Sequence, residues 1–125
     1  MLVKMLKSKL HRATVTETKL RYPGSIAIDS ALMKAAGILP YESVLVADVN
    51  NGNRLETYAV PALANSGKIV ILGAAARLVK RKDTIIILSF GYYTPKEAGR
   101  IKPKVVILDE NNKIRGKQRK STDGC

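Results

Sequence analysis

The feature that most limits how this chain can fold is a series of short stretches rich in β-branched residues, each closed by a turn signal. Valine, isoleucine and threonine favour extended backbone, whereas glycine, asparagine and proline favour the turns between strands. Such stretches occur at residues 13–16, 26–28, 43–49, 54–60, 69–72, 84–90 and 104–108. The pattern predicts a mainly β protein, and many short strands with little helix favour a compact barrel over a doubly wound sheet.

Three turn signals separate these stretches. Asn50-Asn51-Gly52 predicts a hairpin, because asparagine and glycine accept the positive φ of a tight turn between twisted strands. Residues 65–67 and 109–112 predict two further turns.

Two short helices are also predicted from their end residues. The first extends from Asp29, an N-cap, to Gly37, which suits the left-handed position after a helix. The second begins at Thr94, where the sequence Thr94-Pro95-Lys96-Glu97 fits a capping box with proline at the first helical position. Gly99 is expected to end this helix within a turn or two.

The composition excludes several kinds of site. The chain has 125 residues, which suits one domain with one core. His11 is the only histidine and Cys125 the only cysteine, so neither a disulfide nor a metal site is expected within one chain. No apolar run approaches the roughly 20 residues of a membrane span, and the first residues do not resemble a signal peptide. We therefore expect a soluble, cytoplasmic protein.

The net charge of +12 invites a nucleic-acid interpretation, because basic surfaces displace the counterions of phosphates. Residues 113–125 carry five basic side chains and one acidic one, so +4 of this charge lies near the end of the chain. Residues 115–125 are expected to form a basic, flexible tail. Because the chain has no tryptophan and few aromatic residues to stack on bases, nucleic acid is not the expected partner. A positive body would also attract a small dianionic substrate.

The candidate reactive segment is Tyr22-Pro23-Gly24-Ser25-Ile26-Ala27-Ile28-Asp29. Here a Gly-Ser pair follows a proline and leads directly into a predicted strand. Glycine fits a tight turn, and the serine supplies a hydroxyl group at the start of the strand. Taken alone, however, the segment is also an ordinary β-turn with a surface serine.

Together with four other segments, this stretch resembles the aspartate 1-decarboxylase family. Those segments are Lys9-Leu10-His11-Arg12, Asn51-Gly52 followed by Arg54, Thr57-Tyr58, and Gly73-Ala74-Ala75-Ala76. Each motif is weak alone, but their order and spacing match over about residues 1–114. The resemblance implies a six-stranded double-psi β-barrel with short helices, assembled as a homotetramer. It also implies conversion of L-aspartate to β-alanine and CO2 for pantothenate and coenzyme A biosynthesis.

The resemblance further implies a cofactor made from the chain itself. Autocatalytic cleavage between Gly24 and Ser25 would give a β chain of residues 1–24 and an α chain of residues 25–125. Ser25 would become a pyruvoyl group at the new amino terminus, which forms a Schiff base with the aspartate amine and accepts electrons as CO2 leaves.

Other site residues are assigned by the same resemblance. Thr57 orients the Gly24 carbonyl and contacts substrate, Tyr58 returns a proton to the carbanion, and Arg54 and Lys9 bind the substrate carboxylates. The remaining substrate-binding residues are His11, Tyr22, Gly73, Ala74 and Ala75. Taken singly, each has an ordinary explanation as a surface charge, strand residue, structural histidine or plain helix. In register with Gly24-Ser25, they favour a binding site.

One residue departs from the family pattern. The family normally carries an asparagine where this chain has Leu72, whose side chain cannot form hydrogen bonds. Loss of a transition-state donor costs about 2.7 to 4 kcal/mol in other enzymes. Two alternatives to an active lyase therefore stand: an uncleaved, catalytically impaired relative, and a basic β-barrel that binds nucleic acid.

Overall fold

A computed structural model of the protein describes residues 1–117, which form nine strands, two short α-helices and one 3-10 helix. The strands are β1 (Val3–Thr14), β2 (Glu17–Lys19), β3 (Ser25–Asp29), β4 (Ser43–Asp48), β5 (Arg54–Ala62), β6 (Ile69–Leu72), β7 (Thr84–Tyr93), β8 (Lys104–Leu108) and β9 (Ile114–Lys117). The helices are α1 (Ser30–Ala36), α2 (Pro95–Ala98) and the 3-10 helix Gly73–Arg77.

The strands are hydrogen-bonded in the order β2-β6-β3-β5-β4-β7-β1-β8-β9. The pairs β1·β8, β2·β6 and β3·β5 are parallel, and the other neighbouring pairs are antiparallel. Strand β1 leads into β2 through Val15, whose N–H bonds to Asp83, and Thr16, whose N–H bonds to Ile69. Because β1 and β2 lie far apart in the order, this direct link curls the sheet into a small barrel.

The core lies inside the curled sheet and is aliphatic. Fully buried side chains occupy alternate strand positions, as expected where one face of each strand points inward. Such pairs are Ile26 and Ile28, Val44 and Val46, Ile69 and Ile71, and Ile85 and Ile87. Burial of each large aliphatic side chain contributes roughly 1.5 to 3 kcal/mol. A shift of one residue in strand register would move all the buried side chains of a strand to the outer face. The core therefore fixes the register of β3 against its neighbours.

Both α-helices begin as the sequence predicts. The Asp29 side chain caps α1 by accepting a backbone N–H at 2.9 Å, and Gly37 follows that helix with a left-handed φ of 70°. At α2, Thr94 and Glu97 each accept a backbone N–H from the other, which completes the capping box, and Gly99 ends the helix.

Asp29 also connects β3 to the turn that precedes β6. Its side chain is buried and accepts N–H bonds from Ala31, Asn65 and Gly67, each at 2.9 Å. Burial acts to raise the pKa of Asp29, but these bonds favour the ionised form and lower it overall. The ionised carboxylate therefore helps to fix the position of β3, which begins with Ser25, relative to β6.

The predicted mainly β fold with short helices is confirmed. The stretches at 69–72 and 104–108 match β6 and β8, and the predicted turns at 50–52, 65–67 and 109–112 separate strands. The sequence interpretation missed most of β1 and all of β2 and β9. Three lysines, at positions 4, 7 and 9, lower the strand propensity of β1. However, β1 pairs with β7 on one side and β8 on the other, and this pairing overrides local preference.

The end of the described chain continues the sheet. Strand β9 pairs antiparallel with β8, so residues 115–117 of the predicted tail lie in a strand. Residues 118–125 of that tail lie outside the described residues. Between residues 1 and 117, no helix has both the length and the apolar character needed to span a bilayer.

Candidate active site

Ser25 is the first residue of β3 and directly follows Pro23-Gly24. It pairs with Leu72 of β6, while the next residue, Ile26, pairs with Ala59 of β5. Despite its place at a strand end, Ser25 is only 5% exposed. The Gly24–Ser25 peptide bond therefore lies where the ends of two neighbouring strands meet.

Gly73 lies directly against this peptide segment. A Cβ atom at position 73 would lie 2.7 Å from Gly24 Cα, 2.9 Å from Gly24 N and 2.8 Å from the carbonyl oxygen of Tyr22. Gly73 also has a left-handed φ of 82°. Both observations require glycine, because any side chain would meet backbone that cannot rotate away. Ala74 is exposed and Ala75 is partly buried against the core, so the 3-10 helix is anchored beside the reactive segment.

Leu72 occupies the N-cap position of the 3-10 helix. Its side chain makes no capping hydrogen bond, since leucine has no acceptor. Its carbonyl oxygen lies 3.9 Å from the position that a Cβ on Gly24 would take. A polar side chain at position 72 would therefore start beside the Gly24–Ser25 bond and at a free helix end.

Strand β5 approaches the same bond from the other side. Continuing the parallel β3·β5 pairing back by one and two residues places Tyr58 beside Ser25 and Thr57 beside Gly24. Thr57 is partly buried, and Tyr58 is 37% exposed. The structure thus brings these two predicted site residues to the reactive segment.

Tyr41 extends this surface, although the sequence interpretation did not select it. Its ring centroid lies 6.2 Å from that of Tyr58, and its N–H donates to the Ala59 carbonyl at 2.7 Å. Tyr41 has a φ of 68°, which is uncommon for a tyrosine. No local sequence signal predicts that conformation, so only the folded structure shows that the two rings lie close together.

Arg54 begins β5 immediately after the 50–53 turn. Exposure alternates along this strand, so that Arg54, Glu56 and Tyr58 share its outer face. Four residues of extended strand separate the Cα atoms of Arg54 and Tyr58 by roughly 13 Å. The Arg54 side chain is exposed in the single chain.

Lys9 and His11 lie on β1, on either side of the core residue Leu10. Lys9 is 7% exposed. The Nδ1 atom of His11 is buried and has no hydrogen-bond partner among residues 1–117. Burial lowers the pKa of His11, and the positive charges of Lys9 and Arg12 lower it further. A neutral imidazole is therefore favoured at neutral pH.

The predicted site residues consequently form two groups. The first is carried by segments that meet near the Gly24–Ser25 bond, namely Tyr22 before it, Thr57 and Tyr58 on β5, and Gly73, Ala74 and Ala75 in the 3-10 helix. The second, Lys9 and His11, lies on β1, which is separated from β3 in the sheet order by β5, β4 and β7. Arg54 lies on the same strand as Tyr58 but at its beginning.

Neither group lines the cavity at the β8–β9 end of the barrel. A cavity of about 520 Å³ lies between β1, β7 and the β8–β9 turn, and none of the predicted site residues lines it. Tyr22 is 52% exposed, with the Lys19 ammonium 5.1 Å from its ring centroid. In the described part of the chain, no three His, Cys, Asp or Glu side chains cluster as metal ligands would.

The fold and site define a small β-barrel protein with polar groups collected around one Gly-Ser bond. A family model described as aspartate decarboxylase matches residues 1–115, and the chain belongs to that family, as its motifs predicted. The aspartate 1-decarboxylase of Moorella thermoacetica is 59% identical over 110 residues, covering 88% of this chain and 86% of the relative. The enzyme of the same name from Acetivibrio thermocellus is 54% identical over 114 residues, covering 91% and 90%. That of Clostridium beijerinckii is 50% identical over 115 residues, covering 92% and 93%.

Proposed function

We propose that this chain is an aspartate 1-decarboxylase that converts L-aspartate to β-alanine and CO2 and so serves pantothenate and coenzyme A biosynthesis. Relatives of that name support the activity. The observation that carries the proposal is the packing of Gly73 against Gly24, beside the buried Ser25 and the Thr57-Tyr58 pair. This packing brings motifs from separate parts of the sequence to one peptide bond.

Maturation is proposed to begin at that bond. Ser25 Oγ attacks the carbonyl carbon of Gly24, and the acyl group moves from nitrogen to oxygen, which leaves an ester and a free Ser25 amine. Thr57 would donate a hydrogen bond to the Gly24 carbonyl oxygen as it gains negative charge. Loss of the Ser25 α-proton then expels the Gly24 carboxylate, and hydrolysis of the resulting dehydroalanine releases ammonia. One domain thus becomes two chains, residues 1–24 and 25–125, with pyruvoyl at position 25.

The residues present fit such a group. Ser25 is buried, so a carbonyl formed there would be shielded from bulk water. The pyruvoyl group supplies an electron-accepting carbonyl for loss of the α-carboxylate. Arg54 and Lys9 are proposed to hold the substrate carboxylates, and Tyr58 to return a proton to the carbon that loses CO2.

His11, Tyr22 and the backbone of Gly73, Ala74 and Ala75 are proposed to complete the substrate pocket. The placement of Lys9 and His11 away from β3 in the sheet order supports a homotetramer in which subunits share a site. The exposure of Arg54 and Tyr58 supports the same arrangement, because binding groups open to solvent gain strength when a neighbour covers them. The family match does not favour the nucleic-acid alternative.

Intact mass under denaturing conditions tests the proposal directly. We expect two species, residues 1–24 and a pyruvoyl-blocked 25–125, together with CO2 released from carboxyl-labelled aspartate. Treatment with a hydrazine should add its mass less one water to the larger species, through hydrazone formation, and stop CO2 release. A single species of 13.6 kDa that releases no CO2 would contradict the proposal and favour an impaired relative.

Leu72→Asn is expected to speed cleavage of the freshly made chain by about tenfold or more, since an amide at this position adds a hydrogen-bonding group beside the Gly24 carbonyl. It should also stabilise the 3-10 helix by about 1 kcal/mol through capping. The cleaved fraction is followed over time by mass spectrometry. Leu78→Asn, at the other end of the same helix, is the matched control. Equal rates for Leu72→Asn and the parent chain would show that processing needs no amide there.

A further inference from the structure

Asp48, the last residue of β4, carries a buried carboxyl group that the proposed catalytic roles leave unused. Its side chain is 3% exposed, and its Oδ1 atom accepts the Asn50 N–H at 2.8 Å. Its Oδ2 atom is buried and receives no N–H or O–H donor from any other described residue. A buried carboxylate oxygen without a donor is costly, so this atom requires a partner.

The backbone brings Asp83 to that position. The Val49 N–H donates to the Thr84 carbonyl and the Thr84 N–H donates to Asn50 Oδ1, both at 2.8 Å. These bonds extend the antiparallel β4·β7 pairing, in which Asp48 lies opposite Ile85, so Asp83, two residues before Ile85, is a diagonal neighbour of Asp48 on the same side of the sheet. The side chains of Asp83 and Asp48 accordingly lie on the same side of the sheet, where each carboxyl group affects the pKa of the other.

Two carboxylates in contact repel each other, whereas one proton between them gives a strong hydrogen bond. Burial, together with the adjoining Asp83, raises the pKa of Asp48 to about 6. The bond from Asp48 lowers the pKa of Asp83, which is more exposed. Lys80 is the cation that faces Asp83, and its backbone N–H donates to that carboxylate at 2.9 Å. The deeper residue, Asp48, is therefore the one that holds the proton.

We propose that Asp48 and Asp83 form a shared-proton carboxyl pair, which fastens the turn before Arg54 to the segment that follows the 3-10 helix. The same two segments are joined by Asn51 and Asn53, whose side-chain amides both donate to the Leu78 carbonyl at 3.0 Å. Below about pH 6 the pair adds an O–H···O bond to these contacts. At higher pH both carboxyl groups ionise, and their repulsion weakens the attachment.

The strength with which the hairpin that carries Arg54 is attached to the segment after the 3-10 helix therefore depends on pH. Its effect on substrate binding rests on the proposed function, because that function gives Arg54 its role. The existence of the carboxyl pair does not rest on that function, and its test requires no aspartate turnover.

The variant Asp48→Asn tests whether the shared proton causes the pH dependence of stability. Asparagine keeps the acceptor for Asn50 and directs an N–H donor at Asp83, so it mimics protonated Asp48 at every pH. Because the pKa of Asp48 rises from 3.8 to about 6 on folding, its contribution to stability falls between these pH values and is constant above them. Above pH 7, the variant's unfolding equilibrium constant is expected to be lower than the parent's by about tenfold to a hundredfold. The difference should disappear towards pH 4. Denaturant unfolding of the full protein across this range measures it.

Asp109→Asn is the matched control. Asp109 also begins a turn, and its Oδ1 accepts the Asn111 N–H at 2.8 Å and the Lys113 N–H at 2.9 Å. These bonds, that of Lys113 first, lower the pKa of Asp109. This variant loses the same charge, but at a carboxylate whose ionised form is favoured, and it should not be stabilised above pH 7.

A carboxyl-carbon NMR titration of the full protein gives a second readout. Asp48 is expected to titrate near pH 6 in the parent and at least about one pH unit lower in Asp83→Asn, whose amide removes the repulsion. Titration of Asp48 below about pH 4.5 in the parent would overturn the proposal. So would an Asp48→Asn variant that is destabilised equally at pH 5 and pH 8.

Discussion

Ser25→Ala is expected to leave the chain uncleaved and to reduce aspartate decarboxylation by more than about a thousandfold, to the assay background. Alanine has no oxygen to attack the Gly24 carbonyl, so neither the ester nor the pyruvoyl group can form. The change removes one atom from a side chain that is 5% exposed, so the fold should persist. Denaturing mass spectrometry reports the cut, and CO2 release from labelled aspartate reports the activity.

Ser30→Ala provides the control for this experiment. Ser30 begins α1, five residues along the chain, and its replacement leaves Ser25 and the residues around it unchanged. Cleavage and turnover should both match the parent protein. Turnover by an uncleaved Ser25→Ala protein would exclude pyruvoyl chemistry.

Gly73→Ala is expected to slow cleavage by about a hundredfold or more. The new methyl group would overlap Gly24 Cα at 2.7 Å and the Tyr22 carbonyl oxygen at 2.8 Å. Since these are backbone atoms, either the 3-10 helix or the reactive segment must move. Displacement of about 1 Å at a reacting centre can cost on the order of a hundredfold in rate. The clash and the left-handed φ should together destabilise the fold by about 1 to 3 kcal/mol. Timed mass spectrometry and urea unfolding measure the two effects.

Gly52→Ala distinguishes backbone strain from the clash. Gly52 has a similar φ of 78°, but nothing lies within 4 Å of the position its Cβ would take. This variant should lose about 1 kcal/mol of stability through strain alone and mature at the parent rate. If both glycine variants mature equally slowly, the contact between Gly73 and Gly24 has no special role.

Sequence reasoning succeeded where the cause of a structure is local. The cap of α1 at Asp29 and the capping box at Thr94 each depend on residues within a few positions, and both were predicted. The β6 and β8 stretches were predicted because their β-branched residues are consecutive. Most of β1 was missed because its pairing with β7 and β8 involves residues distant in sequence.

The candidate site shows the same division. The Gly24-Ser25 pair was selected from local chemistry, but its importance came from a family resemblance rather than from spacing. That Gly73 contacts Gly24 depends on the pairing of β3 with β6, and no local pattern encodes it. Tyr41 and the Asp48–Asp83 pair were missed for the same reason, because each results from strands brought together by the whole sheet.

The place of β1 in the sheet has a consequence for how the mature protein is assembled. Residues 1–24 contain β1, which lies between β7 and β8, and supply Leu10 and Ala13 to the core. A cut after Gly24 would make this central strand a separate peptide, held only by non-covalent contacts. Once denatured, the mature molecule would have to rebuild itself by fragment complementation, at a rate that depends on concentration. An uncleaved precursor would fold as one chain at any dilution, so under the proposed function the strand would be inserted first and the bond would be cut afterwards.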